Sequence, residues 1–297
     1  MTSSGTARAP LAFFLPSLAG GGAERVILNL AEGFSQRGVP IDLVLATAEG
    51  PFLSRVPSAI RVVDLKASRV LRSLGPLAAY LRRERPLALL AALDHANLIA
   101  MAAARLAGRH TRIVISVHCT FPKNGQATSM RENAIPWLLG RLHHWADAIV
   151  AVSDGVAVDL ANTAGIPRDR IRVIYNPVIM PSLLPAAAER PSHPWFEDAT
   201  PIVMGVGRLV PQKNFRLLID AFAIVRRSHD ARLIILGEGP ERPLLEAQVR
   251  QYGLHDVVDL PGFLDNPYAC MARASGNVTI VIPPWNGILG KAGLGGI

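Results

Sequence analysis

With 297 residues, half of them hydrophobic and 18% charged, the chain has enough apolar surface to bury the cores of two ordinary domains, which excludes a disordered or low-complexity protein. Aromatic residues make up only 6%, so the core falls to Ala, Leu, Ile and Val, and the whole +8 charge excess lies within residues 1–190. The two cysteines, Cys119 and Cys270, stand far apart in no metal-ligand spacing and read as reduced thiols of an intracellular protein.

Strand-like and helix-like runs alternate along the first half, the pattern of a parallel α/β sheet. Strands are expected over residues 11–15, 41–46, 60–64, 87–91, 112–117, 148–152 and 172–174. Helices are expected over 23–37, 96–106, 131–145 and 155–164, with Gly38 and Gly165 as stops and Ser153 as a cap. The apolar run over 11–19 is short and weakly flanked for a secretory leader, and it runs straight into a glycine turn, so it reads as the first strand. That turn, Gly20-Gly21-Gly22, lets backbone approach a ligand closely or simply makes a tight strand-to-helix connection. No apolar run is long enough to span a bilayer.

Residues 70–81 form an apolar helical stretch flanked by Arg69, Arg72, Arg82, Arg83 and Arg85. Such a helix can lie on an anionic membrane surface, or be a solvated helix of an Arg-rich protein. No aromatic residues interleave with these arginines to stack bases, so nucleic acid is not an expected partner. Asp94, His95 and Asn97 follow one strand; they line a ligand site or, the preferred reading for Asp94, cap the next helix. His118 ends another strand, where open parallel sheets bind ligands, and the polar loop after it, 120–130, suits an acceptor.

Between 175 and 201 the periodicity disappears and Pro177, Pro181, Pro185, Pro191 and Pro194 crowd together. This composition predicts a linker over 179–200 between a domain at 1–178 and a second at 201–297, with Asn176 and Pro177 as hinge structure. The second domain restarts the pattern with strands over 202–206, 232–236, 257–260 and 278–282. Its helices are expected over 214–227, with Leu217, Leu218, Ala221, Phe222 and Val225 as apolar positions, and over 240–252. The turn between the first strand and helix, Gly205 to Asn214, carries Arg208 and Lys213 beside a helix N-terminus, which suits a diphosphate. Leu236-Gly237-Glu238-Gly239-Pro240 is a second glycine turn, where Glu238 meets a ligand or caps a helix, and Pro261-Gly262-Phe263 follows the third strand.

The run G-x-G-R-L-x-x-x-K-N at 205–214 resembles the donor-binding motif of the family 4 nucleotide-sugar-dependent glycosyltransferases, and G-G-A-E-R at 21–25 is similar to their first loop. Segments 152–155 and 173–178 resemble the family too, so the likeness covers about 11–275. It implies a GT-B-like fold of two Rossmann-like doubly wound domains with a cleft between them, the second incomplete here. It assigns the donor diphosphate to Arg208, Lys213, Gly21 and Gly22, and the nucleotide to Gly237, Glu238, Gly239 and Phe263. His118 is given contact with the transferred sugar and acceptor. The implied activity is retaining, metal-independent sugar transfer from a nucleotide diphosphate-sugar to an acceptor hydroxyl, with no cofactor beyond the donor. The implied partners are a glycan or lipid-linked acceptor and an anionic membrane surface, with the protein cytoplasmic or peripheral at the inner face. The family carries two glutamates eight positions apart near its end, whereas this chain has no Glu after Glu246. The second half is also short for a doubly wound domain, so a truncated or frameshifted product without measurable transfer is expected. Two rivals stand beside this reading: a dinucleotide-dependent oxidoreductase using Gly20–Gly22, which wants an acid nearer the second strand than Glu49, and a non-catalytic GT-B-like binding remnant.

Overall fold

The computed structural model describes residues 9–121, 130–177, 181, 183–264, 266–274 and 279–280. Most of the expected acceptor loop and the tail from 281 lie outside them. The chain divides into two units, Met1–Val178 and Ile179–Ile297.

Unit 1 runs β1 (Leu11–Leu15), α1 (Gly22–Gln36), β2 (Ile41–Leu45), β3 (Arg61–Asp64), α2 (Leu74–Glu84), β4 (Ala88–Ala92), α3 (Asp94–Ala107), β5 (Arg112–Val117), α4 (Met130–Leu142), β6 (Ala148–Ala151), α5 (Asp154–Ala164) and β7 (Ile171–Val173). The strands pair in parallel in the order β3-β2-β1-β4-β5-β6-β7. The chain builds outward from β1 to β3, then returns to lay β4 on the other side of β1. Such a reversal opens a crevice at the carboxyl ends of β1 and β4, where doubly wound sheets take ligands. The strands are near-continuous apolar runs because helices cover both faces. One core cluster gathers Phe14, Leu89 and Ile115 with α2 and α3, and the other gathers Phe13, Leu15 and Leu43 with Ile27 of α1. Ala96, Ala100, Ala103 and Ala104 give α3 a smooth face, which compensates for the scarcity of aromatic residues. The expected stops hold: Gly38 and Gly165 take left-handed backbone, and the Ser153 hydroxyl accepts from the Val156 N–H at 3.3 Å.

The helix expected over 70–81 starts as a 3-10 turn, Val70–Ser73, and continues as α2. Its apolar residues Leu77, Ala78, Tyr80 and Leu81 are buried in the core, so that face is not offered to a bilayer, while the flanking arginines are exposed. A polar tie fixes α2 to the sheet. Asp42 of β2, buried, accepts from the Tyr80 hydroxyl at 2.6 Å and from Arg61 Nε at 2.8 Å, and Arg61 reaches on to Glu84 at 2.9 Å. Burial, then the Asp42 hydrogen bond, drive the Tyr80 hydroxyl far above the usual phenol range, so it remains a donor.

Unit 2 runs α6 (Leu183–Ala188), β8 (Ile202–Val206), α7 (Phe215–Val225), β9 (Arg232–Leu236), α8 (Arg242–Gln251), β10 (Val258–Gly262), α9 (Pro267–Arg273) and β11 (Thr279–Ile280). Its sheet is parallel in the order β10-β9-β8-β11, which puts the reversal at the carboxyl end of β8. The linker expected over 179–200 is corrected in its second part. Residues 183–188 form α6, Pro194–Glu197 a 3-10 turn, and both pack on this unit. His193, buried, accepts the Trp195 N–H on Nδ1 and therefore donates from Nε2 to Asp259 at 2.8 Å, while Asn266 Nδ2 donates to the Ala186 carbonyl at 2.8 Å. The prolines erase periodicity, but Trp195 and Phe196 supply apolar surface that packs against the core. Residues 176–177 stay with unit 1, where Asn29 Nδ2 donates to the Pro177 carbonyl at 3.2 Å. On α7 the buried positions are Phe215, Leu218, Ile219 and Phe222; of the apolar positions named from sequence, Leu217, Ala221 and Val225 are exposed. The helix α9 was not expected, although Asn266-Pro267 marks its start: the Asn266 side chain accepts from the Tyr268 N–H at 3.1 Å and Pro267 stands at the first helical position.

Candidate functional site

Three strand ends meet in unit 2. Gly207 N–H donates to the Leu236 carbonyl at 2.9 Å, Leu209 N–H to the Glu238 carbonyl at 2.9 Å, and Gly237 N–H to the Gly262 carbonyl at 2.8 Å. The turns after β8, β9 and β10 thus form one continuous backbone ledge. Only glycine fits at Gly237, where φ is +139 and a methyl would overlap the Gly207 carbonyl oxygen. Gly205 serves packing instead: a Cβ there would come within 2.9 Å of both Phe215 and Leu218, so its absence lets α7 sit close on β8.

Both cations lie on the turn that forms part of this ledge. The Lys213 side chain runs back across Gly207, where a Cβ would lie 3.5 Å from its Cε. Arg208, next along the chain from Gly207, is exposed and meets no carboxylate among the described residues. Asn214, in left-handed backbone at φ 48, starts α7 without a side-chain hydrogen bond to its first turn. The Leu217 N–H is taken by the Asn214 carbonyl at 3.1 Å, so an anion at this end of α7 would be met by the N–H groups of Phe215 and Arg216, with two cations in the turn that precedes them.

Glu238 does not cap α8, whose N-cap position is Glu241. It is bound twice by Arg242, from Nε at 2.9 Å and from Nη2 at 2.7 Å, and this partner holds its carboxyl below the usual range. Arg242 also donates to the Leu260 carbonyl at 2.9 Å and to Glu246 at 3.1 Å, and so clamps the β9 turn to β10. Sequence reading missed Arg242, although Glu238, Arg242 and Glu246 stand at successive i, i+4 spacings, a legible helix-pair signal. Beside them Glu241, only 8% exposed, keeps one carboxylate oxygen without a hydrogen bond among the described residues. Gly239 lies against the Leu209 backbone, and Phe263 stands exposed just beyond β10.

In unit 1 the carboxyl ends of β1, β4 and β5 carry the other expected residues. Gly21 is the N-cap of α1 and Gly22 its first residue, but the Glu24 carboxylate already folds against Gly21. A negative side chain in the first turn offsets the helix N-terminal charge, and Glu24 must swing aside before a phosphate can approach. Asp94 is not the N-cap of α3. That position is Leu93, in unusual backbone at φ 76, and Asp94 is the first helical residue with no capping bond. Burial pushes the Asp94 carboxyl up to about 6 and lowers His95. His118 follows β5, its Nε2 lies 3.0 Å from the Ser116 hydroxyl, and burial lowers it to about 4, so its ring is neutral at pH 7. Asn97, fully buried, donates to the Ser116 carbonyl at 2.9 Å and braces the same strand end.

Comparison with known proteins gives the family and the fold. Residues 20–180 match the family described as Glycosyltransferase Family 4, and residues 187–281 the family described as Glycosyl transferases group 1. The chain is 29% identical over 284 residues to the N-acetylgalactosamine-N,N'-diacetylbacillosaminyl-diphospho-undecaprenol 4-alpha-N-acetylgalactosaminyltransferase of Campylobacter jejuni, covering 89% of this chain and 72% of that protein. Its fold is similar to that of Anabaena HepE in complex with UDP and glucose, with a TM-score of 0.68 and 21% identity over 90% of this chain and 73% of the other. It is likewise similar to sucrose-phosphate synthase from Thermosynechococcus elongatus, with a TM-score of 0.69 and 16% identity over 90% and 74%. The fold in common is GT-B. A dinucleotide-dependent oxidoreductase finds no support in these matches.

Proposed function

We propose a donor, a leaving-group site and an acceptor class for this chain, which is a glycosyltransferase and belongs to glycosyltransferase family 4, with its second half in the group 1 family. The donor is a nucleotide diphosphate-sugar. Its diphosphate lies at the start of α7 between Arg208 and Lys213, and its base and ribose lie along the Gly237–Gly239 turn and Phe263. The presence of both cations in the β8–α7 turn, with Lys213 folded back over Gly207, carries this reading. Transfer breaks the bond between the sugar's anomeric carbon and the diphosphate oxygen, while the acceptor hydroxyl oxygen bonds to that carbon and gives its proton to the departing phosphate. Negative charge grows on the leaving group, and fixed cations with helix N–H groups stabilise it there without reorganisation. No metal ion is required for this, and attack from the leaving-group face retains the anomeric configuration. The acceptor is a glycan or lipid-linked hydroxyl on unit 1, beside the neutral ring of His118. The Campylobacter relative, whose name includes a diphospho-undecaprenol, supports a lipid-linked acceptor.

Titration calorimetry with UDP and GDP tests the donor site. Each charge-assisted contact is worth about 1.5–3 kcal/mol, so Arg208→Ala and Lys213→Ala should each weaken the preferred nucleotide at least tenfold with an unchanged melting temperature. Full affinity in both variants overturns the assignment.

The membrane surface enters the same proposal through charge alone. The arginines flanking α2 are exposed while its apolar face is in the core. Attachment to anionic vesicles should therefore be weak and lost with added salt, because such charges are screened over roughly 10 Å at 0.1 M. Cosedimentation that is equal for anionic and neutral vesicles at low salt removes this part. No helix among the described residues is long and apolar enough to cross a membrane.

A further inference from the structure

At the opposite end of the unit 1 sheet from His118, the C-terminus of α3 and the start of β5 enclose a cavity of about 270 Å³ lined by Arg105, Arg109, His110, Thr111, Arg112, Trp145 and Asp147, among others. The cavity lies roughly 20 Å from the carboxyl end of β5, at 3.3 Å per strand residue, and so is separate from the acceptor side. Three arginines and one carboxylate line it, and that carboxylate is already engaged, since Asp147 Oδ2 accepts the Ile113 N–H at 2.7 Å. A helix C-terminus ordinarily offers carbonyl oxygens that repel an anion. Here three of the last four are taken: Ala104 accepts from the Arg109 N–H at 2.9 Å, Arg105 from the Gly108 N–H at 3.4 Å, and Leu106 from the Arg82 guanidinium.

The cavity is also held in shape. The Arg105 guanidinium lies 4.9 Å from the centre of the Trp145 ring, which fixes its direction. Left-handed backbone at Gly108 and Arg109, with φ of 94 and 58, turns the chain sharply, and Gly108 leaves room for the His110 ring, whose Nε2 would stand 3.1 Å from a Cβ there. Thr111 is only 6% exposed, and its buried hydroxyl has no hydrogen-bond partner among the described residues. An unsatisfied buried hydroxyl beside several guanidinium groups is a donor waiting for an oxyanion. The volume lies below the roughly 300 Å³ at which drug-sized ligand sites begin, which restricts the occupant to a small group.

We propose that this cavity binds a phosphate group, carried either as the free anion or as the diester of a lipid headgroup. Arginine forks match phosphate oxygens two at a time, and three arginines and a hydroxyl donor line this cavity.

The test uses the full chain with UDP at saturation, so that the donor site is occupied. Inorganic phosphate should raise the melting temperature beyond chloride at equal ionic strength. Arg109→Gln with Arg112→Gln, both at exposed positions, should weaken that response at least tenfold in phosphate concentration, and Thr111→Val should weaken it about threefold. UDP affinity, measured in parallel, should not move in either variant; it checks folding and stands or falls separately from this site. The lipid arm compares cosedimentation with phosphatidylglycerol and phosphatidylcholine vesicles. Loss of both phosphate response and vesicle binding in the double variant assigns the site to a headgroup, and loss of the phosphate response alone assigns it to the free anion. No phosphate-specific response in the unmodified chain, or an undiminished one in the double variant, overturns the proposal.

Discussion

His118 shows how a single residue's surroundings set its chemistry. Burial lowers its folded-state pKa from 6.5 to about 4, so the ring can accept a hydrogen bond near the reacting sugar but brings no proton of its own at neutral pH. The consequence for stability has a definite sign. Between pH 6.5 and about 4 the unfolded chain binds a proton at this site that the folded chain does not, so stability falls as pH falls through that window. Asp94 opposes it: its folded pKa, raised from 3.8 to about 6 by burial, makes the folded state bind the extra proton, so its contribution grows as pH falls from about 6 towards 3.8. We expect His118→Gln to differ from the unmodified protein by a constant melting temperature above pH 6.5, and to gain on it progressively down to pH 4. A difference independent of pH across that range would show that His118 is not held neutral. At the same scale, the two cations of the donor turn were legible because their motif is local: ten consecutive residues contain Gly205, Gly207, Arg208, Lys213 and Asn214. The roles of Glu238 and Glu24 were not legible, because a carboxylate's partner depends on rotamer and packing. Glu238 had several possible partners in sequence, and the folded turn gave it to Arg242.

Elements are held in place by a few polar ties and close approaches that carry more than their share. The Asp42 carboxylate joins α2 to β2 and β3 through Tyr80 and Arg61. Removing the Tyr80 hydroxyl leaves a buried carboxylate short of a donor, so Tyr80→Phe should cost about 1–3 kcal/mol in urea unfolding. Asp42→Ala should cost more than Tyr80→Phe, because it leaves the buried Tyr80 hydroxyl without its acceptor and removes one of the two carboxylates of Arg61, which keeps Glu84. If both substitutions are neutral, α2 is held by its apolar face alone. In unit 2, Gly237→Ala introduces a methyl against the Gly207 carbonyl in backbone that suits glycine. The strained conformation alone should cost about 1–3 kcal/mol, and nucleotide binding should fall with it because Gly207 is displaced from beneath Lys213. Wild-type UDP affinity and stability in this variant would show that the ledge is pliable. Sequence patterning identified most strands and helices of both sheets to within a few residues, since continuous apolar runs between polar helices are a strong signal. It located α7 but not the buried face of that helix, since Leu217 and Val225 fit a helical stripe as well as Phe215 and Ile219 do. Only the position of β8 and its neighbours selects which stripe is buried.

At the scale of the whole molecule, each unit has its own hydrophobic clusters: those around Phe14 and Phe13 in unit 1, and those around Phe215 and Ile202 in unit 2. A cavity in one core should therefore be felt mainly in that unit. Phe215→Ala, at a fully buried ring, should cost about 3–5 kcal/mol and lower hydrogen-exchange protection across β8, β9 and α7 while β1, β4 and β5 keep theirs. Uniform loss across both units would show a single cooperative fold. What the sequence determined by itself was set by neighbours along the chain: the alternation of strands and helices, the division near 178, the glycine turns, and the Arg208–Lys213 motif that marks the family. The tertiary structure decided the rest. It drew residues 183–197 into unit 2 rather than leaving them a linker, turned the apolar face of α2 into the core, closed Glu238 onto Arg242, and gathered Arg105, Arg109, Arg112 and Thr111 around one cavity. The physical reason is that periodicity and turn chemistry act over a few residues, whereas burial and the pairing of charges depend on which surfaces the completed sheets bring together.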